Sequence, residues 1–419
     1  MINVKTMKSI ILSLVLLVST SSFAQTVKIL FDATKAEMAG NADWLIDADV
    51  NDLGVNANGK MISGIGDESN PQGIPTPAQS NITASTTETF WTGALSAWAV
   101  DCAKQNYIVE TLPYNDSITY GNNSHLKDLK HYNIFVVCEP NILFTTAEKN
   151  AIVKFVQDGG RLFIISDHDV SDRNGDGYDS PTIWNDLFTT NTIHANPFGI
   201  TFDLQNYSQT TSNVASLPSD SCLHGSFGNV TKLQILGGTT MTLNTANNNT
   251  VTGLIYKTGA TTTSNTNVFF ARAYYGLGKV CALGDSSPPD DGTGDANDVL
   301  YNGYTGDASG QHQWLLMNAM AWLAHGAMPL QVNTVSSFQH EIRVSPNPSS
   351  IAWLVEMNAQ KESTSIELYD VHGKLLHTKI IAANTPIQYA VSNRQLKSGN
   401  YFLKITSGQK SSTMKVVKW

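Results

Sequence analysis

Clustered basic residues are what this chain lacks most clearly. Its 26 Lys and Arg are outnumbered by 35 Asp and Glu, for a formal net charge of −9. Neutralising phosphates takes grouped Lys and Arg, so nucleic acid and anionic membrane surfaces are excluded as partners. Charge of either sign is sparse at 15%; Thr, Ser, Asn and Gly fill the polar positions, a secreted-protein composition. Cysteine is scarce too, with four in 419 residues, which does not read as a disulfide framework. Cys138 and Cys281 lie inside apolar runs, Cys102 on an apolar helical face and Cys222 in a loop. Buried thiols are expected, with room for one pair. After the amino terminus no apolar run is long enough to span a bilayer. Gly-x-Cys-x-Gly and Gly-x-Ser-x-Gly are both missing, which removes the local signatures of a thiol or serine nucleophile turn.

The two ends carry addresses. Lys5 and Lys8 precede the apolar run Ile10 to Val18, and small Ser22 and Ala24 stand before Gln25. Residues 1–24 therefore read as a secretory signal peptide. At the other end, Ile342-Arg-Val-Ser-Pro-Asn-Pro-Ser349 opens a region of short alternating segments: Ser365–Asp370, Tyr401–Thr406 and Met414–Trp419. Turns at His372-Gly373 and Ser398-Gly-Asn400 separate them. Period-two alternation with such turns predicts a small antiparallel β-sandwich over 341–419, after a linker at 331–340. Ser345-Pro-Asn-Pro348, Leu368-Tyr-Asp370 with Gly373-Lys374, and Leu396-Lys-Ser-Gly-Asn-Tyr-Phe-Leu403 resemble the type A sorting domain of the type IX secretion system of Bacteroidetes. The resemblance implies export to the cell surface or beyond, with the secretion machinery as partner.

Residues 25–330 alternate between strand and helix. Thr26–Phe31, Tyr107–Leu112, Ile134–Cys138, Arg161–Ile165 and Lys279–Leu283 are apolar runs of strand length. Apolar positions at helical spacing predict a helix over 88–105. Thr145 and Glu148 form a capping box for a second helix, stopped by Gly159-Gly160, and His312 to His325 with Gly326 as cap makes a last one. Strands apolar throughout imply a mostly parallel sheet covered on both faces, an α/β fold. Ligands of such sheets bind beyond the carboxyl ends of the strands. Those ends carry Asp32, Glu139, Asp167, His168, Asp169 and Asp285.

Phe31-Asp32-Ala33, Gly159-Gly160-Arg-Leu-Phe-Ile-Ile-Ser166 and Gly278-Lys279-Val-Cys-Ala-Leu-Gly-Asp-Ser286 resemble the class I glutamine amidotransferase-like superfamily, in particular extracellular branches without known activity. That resemblance implies a flavodoxin-like three-layer sandwich. True amidotransferases carry a nucleophilic Cys at a sharp strand-to-helix turn. The equivalent turn here reads as Ser166-Asp167-His168, so glutamine hydrolysis is not expected.

Two acidic loops complete the picture. In Asp172-Arg-Asn-Gly-Asp-Gly-Tyr-Asp179, Asp172, Asn174 and Asp176 place oxygens at alternate positions, Gly177 permits a tight turn, and Tyr178 and Asp179 can add a carbonyl and a carboxylate. Ile183 stands where an EF-hand has Glu, so the pattern is that of a shorter extracellular calcium loop. In Asp285–Asp298, residues Asp290, Asp291 and Asp295 are candidates for a second cation or for sugar hydroxyls, with Trp44, Trp91, Trp184 and Trp314 as aromatic neighbours. Two functions are compatible with these features. One is a surface module that grips a glycan-like ligand with calcium; the other is a metal-assisted or carboxylate-dependent hydrolase using Asp167, His168 and Asp285.

Overall fold

The structure, a computed structural model, describes residues 26–39, 42–47, 73–292, 301–307, 311–324, 342–371, 374–408 and 410–419. The signal peptide, the 331–340 linker, Asp295, the His372-Gly373 turn and the His325-Gly326 helix end lie outside these residues. The chain divides into two compact units after Gly326.

Five parallel strands form half of the sheet in the first unit: β1 (Lys28–Asp32), β2 (Ile108–Leu112), β3 (Ile134–Cys138), β4 (Arg161–Ile165) and, much later in the chain, a strand at Gly278–Leu283. Between them come β5 (Ile200–Phe202), β6 (Met241–Leu243), β7 (Thr252–Tyr256) and β8 (Val268–Tyr275), so Gly278–Leu283 is β9. The sheet runs β2-β1-β3-β4-β9-β8-β6-β5, with β7 also on β8. Pairings from β2 to β9 are parallel; those from β9 to β5 are antiparallel. The sheet is thus parallel over all five strands that the apolar runs predicted, and antiparallel strands extend it on one side.

Helix α1 (Ser96–Lys104) connects β1 to β2, and α2 (Thr146–Gln157) connects β3 to β4. The two connections step in opposite directions across the sheet. Right-handed crossovers therefore put α1 and α2 on opposite faces, with the direction changing between β1 and β3. Accordingly α1 packs against α4 (Gln311–Ala324), and α2 against α3 (Ser180–Thr190). Covering on both sides explains why every residue of β3 and β9 is buried.

Local signals hold where chemistry demands them. Thr145 and Glu148 make the reciprocal capping box, and Gly159, at φ +115°, ends α2. The expected helix over 88–105 is shorter: Glu88–Phe90 is one 3-10 turn, and α1 starts at Ser96. Gly93 is the cause. Its amide donates to the Ile46 carbonyl, and a Cβ there would meet the Leu45 carbonyl oxygen at 2.2 Å. The chain at 91–95 is committed to the 45–46 backbone and cannot coil.

The second unit has a three-stranded and a four-stranded antiparallel sheet. Trp353, Val355 and Val391 from one, and Ile366, Leu368, Leu403 and Ile405 from the other, share a single core at alternate strand positions. The Ser398-Gly-Asn400 turn is shorter than expected, because Gly399 already begins the strand Gly399–Ser407.

Candidate functional site

Three neighbouring strands deliver carboxyls to one edge. Glu139 follows β3 directly, at φ +48°, and is fully buried. A non-glycine residue held in that region costs on the order of 1 kcal/mol, and such outliers gather at functional sites. Its Oε2 accepts from Trp44 Nε1 (2.8 Å) and Ser286 Oγ (2.6 Å), and its Oε1 from Arg173 Nε (3.2 Å). Asp167 follows β4. Its Oδ2 accepts from Arg173 Nη2 (3.1 Å), stands 3.5 Å from His168 Nε2, and the carboxyl lies within hydrogen-bond reach of Glu139. Asp285 follows β9, and its two oxygens accept the amides of Ser287 (2.9 Å) and Leu236 (2.7 Å).

Burial raises the Asp167 carboxyl well above the usual range; the charges of Glu139 and Asp285 push the same way, and Arg173 only partly opposes them. Burial lifts Asp285 to about 7 against its two backbone donors. A carboxyl that keeps its proton near neutral pH can deliver it. His168 donates Nδ1–H to the Asp169 carbonyl (2.5 Å), an orientation that leaves Nε2 toward Asp167. On β1, burial lifts Asp32 to about 6, beside Glu37, whose carboxyl burial and the Asp32 charge raise further.

Other expected residues stand apart from this edge. Asp169 meets Asp179, and Asp179 caps α3 through Thr182 N (3.1 Å). In the 172–179 loop, Asp172 accepts the amides of Asp176 and Gly177, and Asp176 accepts that of Tyr178, while Asn174 donates to the Asn141 carbonyl. Among the described residues no three His, Cys, Asp or Glu side chains gather as metal ligands. Asp290 accepts the amides of Gly292 and Tyr301, and Asp291 that of Ala97 in the first turn of α1, so both serve the backbone. Of the four tryptophans, Trp44, Trp91 and Trp184 are buried in the core, and Trp314 is half-buried against Gly228. All four cysteines are buried free thiols. Burial, then Glu139 and Asp167, push the Cys138 thiol far above its ordinary value.

Glu37, Arg173 and Ser286 were not read from the sequence as parts of this edge, and Trp44 was read only as an aromatic face, whereas it donates Nε1–H to Glu139. Arg173 had a signal, as the lone cation inside an acidic loop just beyond a strand end.

No curated protein matches the chain. Among solved structures, the mmIFT52 N-terminal domain aligns over 72% of this chain and 100% of its own, at 14% identity and TM-score 0.40. A Parabacteroides merdae β-glucuronidase aligns over 19% of this chain and 12% of its own, at 15% identity and TM-score 0.14. Among the described residues no helix is long and apolar enough to cross a membrane. Residues 343–419 match the Secretion system C-terminal sorting domain, so the chain carries the type IX export signal that directs it to the cell surface or the medium.

Proposed function

We propose that the amino-terminal unit is a carboxylate-dependent hydrolase acting outside the cell on a polar, hydroxyl-rich substrate such as a glycan. The observation that carries this is Asp167, a buried carboxyl beside Glu139 and Arg173 at the carboxyl ends of β3 and β4, in surroundings that favour its neutral form. The strand order 2-1-3-4 followed by β9 is that of flavodoxin-like sheets, whose ligands bind where the order changes direction. In this reading Asp167 gives its proton to the leaving group. The bond to the leaving group breaks as a water adds at the other side of it; His168, at the rim with its Nε2 toward Asp167, takes the water's proton and hands it to Asp167, and Arg173 holds Asp167 and Glu139 in place. Glutaminase chemistry is not proposed, because Cys138 is buried and burial raises its thiol well above its ordinary value. The test is hydrolysis of a panel of chromogenic glycosides and polysaccharides by the exported protein. Asp167→Asn and His168→Ala should each remove turnover, and Cys138→Ser should leave it. Turnover that survives Asp167→Asn rules the reading out.

A second reading rests on the 172–179 loop, where Gly175 and Gly177, both at positive φ, wrap the chain around the side chains of Asp172, Asn174 and Asp176. There calcium would stiffen the edge and the unit would bind its ligand without turning it over. Loss of ligand binding in a chelator, with no hydrolysis detectable in calcium, would favour it.

A further inference from the structure

Four buried oxygens near the end of β1 have no hydrogen-bond partner: Asp32 Oδ2, Thr34 Oγ1, Glu37 Oε1 and Asn141 Oδ1. Their residues are 2%, 5%, 0% and 0% exposed. A turn after β1 brings the two acids together. Thr34 N donates to Asp32 Oδ1 (3.2 Å), Lys35 N donates to Glu37 Oε2 (2.9 Å), and Ala36 takes φ +51°. Ala36 is an L-residue with no side-chain group to offset that conformation, which costs on the order of 1 kcal/mol. The turn sets Glu37 against Asp32, their carboxyls within hydrogen-bond reach, and the Thr34 hydroxyl stands beside Asp32.

Asn141, in the loop between β3 and α2, lays its amide on the same turn. Its Nδ2 donates to the carbonyls of Ala36 (2.7 Å) and Met38 (3.0 Å), the two neighbours of Glu37. Each carboxylate therefore has one oxygen held by backbone and one without a donor.

Nearby cations are engaged elsewhere. Lys35 Nζ pairs with Glu148 (2.8 Å), and Arg173 is held by Glu139 and Asp167. One proton shared between the two acids, with the Thr34 hydroxyl turned to Asp32, satisfies the other oxygens and leaves the Asn141 carbonyl bare. Burying such a carbonyl unpaired costs about 1–3 kcal/mol. Two carboxylates, an amide carbonyl and a hydroxyl whose lone pairs are free to turn inward are the ligand chemistry of a hard divalent cation.

We propose that Asp32, Glu37 and Asn141, with the Thr34 hydroxyl, bind one divalent hard cation such as calcium beyond the carboxyl ends of β1 and β3. The site is separate from the 172–179 loop, where Asp172 gives both carboxylate oxygens to backbone amides, whereas Asp32 and Glu37 give one each. It is also independent of the hydrolase reading, because its test measures binding and not turnover.

The test uses the full exported chain carrying Asp176→Ala, which silences the loop. After EDTA treatment and dialysis, titration with CaCl2 at up to roughly millimolar concentration should fill one equivalent. Adding Glu37→Gln, which keeps the shape and removes a charge, should abolish it, and so should Asp32→Asn. Binding that is absent before these changes, or undiminished after them, overturns the proposal. Should either variant fail to fold, the Asp176→Ala chain decides alone. Crystals soaked in a calcium or terbium salt should give an anomalous peak between Asp32 and Glu37, and its absence refutes the site.

Discussion

Replacing Asp285 with Asn should change how the stability of the amino-terminal unit depends on pH. In the folded chain burial lifts this carboxyl to about 7, against about 3.9 in an unfolded chain. A group raised on folding contributes stability that is fully present below the unfolded value and is lost as pH rises through the folded one. The total loss is about 3 units at 1.36 kcal/mol each, or about 4 kcal/mol, of which roughly 2–3 kcal/mol falls between pH 5 and pH 8. Asn cannot ionise and escapes this loss. It has its own cost, because Asp285 accepts two backbone amides and an Asn side chain offers only one oxygen. The other amide is left facing an NH2 group, at about 1–3 kcal/mol. The variant should therefore be less stable than the parent at pH 5, and the gap should shrink by roughly 2–3 kcal/mol by pH 8. The Asp285 charge also raises Asp167, so its removal acts in the same direction. Guanidinium denaturation of both proteins at half-unit pH steps reads the gap directly. A gap constant from pH 5 to pH 8 would show that Asp285 is ionised throughout and that its burial is not what the structure indicates.

Three further outcomes are expected. Deleting residues 343–419, which match the sorting domain, should leave the protein in the periplasm; equal surface levels with and without the segment would sink that expectation. If calcium occupies the 172–179 loop, EDTA should lower the melting temperature and Asp176→Ala should abolish the difference, since about 100-fold excess over Kd contributes roughly 2.7 kcal/mol; melting unchanged in EDTA argues against the loop. Gly93→Ala should destabilise the amino-terminal unit by several kcal/mol, because the added methyl meets the backbone of 45–46 rather than a side chain that can yield; a change under about 0.5 kcal/mol, the range of ordinary surface substitutions, would contradict that packing.

The parallel half of the sheet was legible because its strands are uninterrupted apolar runs, as β3 and β9 show by being buried along their whole length. The antiparallel half was not. β5 and β6 have three residues each, and Thr and Asn around them mask any period. The start of α1 was misplaced because Trp91 and Ala94 fit a helical stripe, yet they are buried by a turn that Gly93 pins to residues 45–46. At the site, Glu139, Asp167 and Asp285 were readable as the polar residues just past apolar strands. Glu37 was hidden because it reaches Asp32 only through a reversal at Ala36, a residue with no turn propensity of its own. Arg173 lies in a loop whose acids drew attention to metal, whereas its guanidinium turns to Glu139 and Asp167. Asp290 and Asp291 looked like ligands, but sequence does not distinguish a carboxylate that meets solvent from one that accepts amides.

The proton on Asp167 is the centre of this account, and it can be observed without a substrate. The infrared difference spectrum between the parent protein and Asp167→Asn at pH 7 should contain the carbonyl stretch of a protonated carboxylic acid, lost in the variant, because burial and the charges of Glu139 and Asp285 all favour the neutral form of Asp167. Loss of carboxylate bands alone would mean that Asp167 is ionised at neutral pH and has no proton to give.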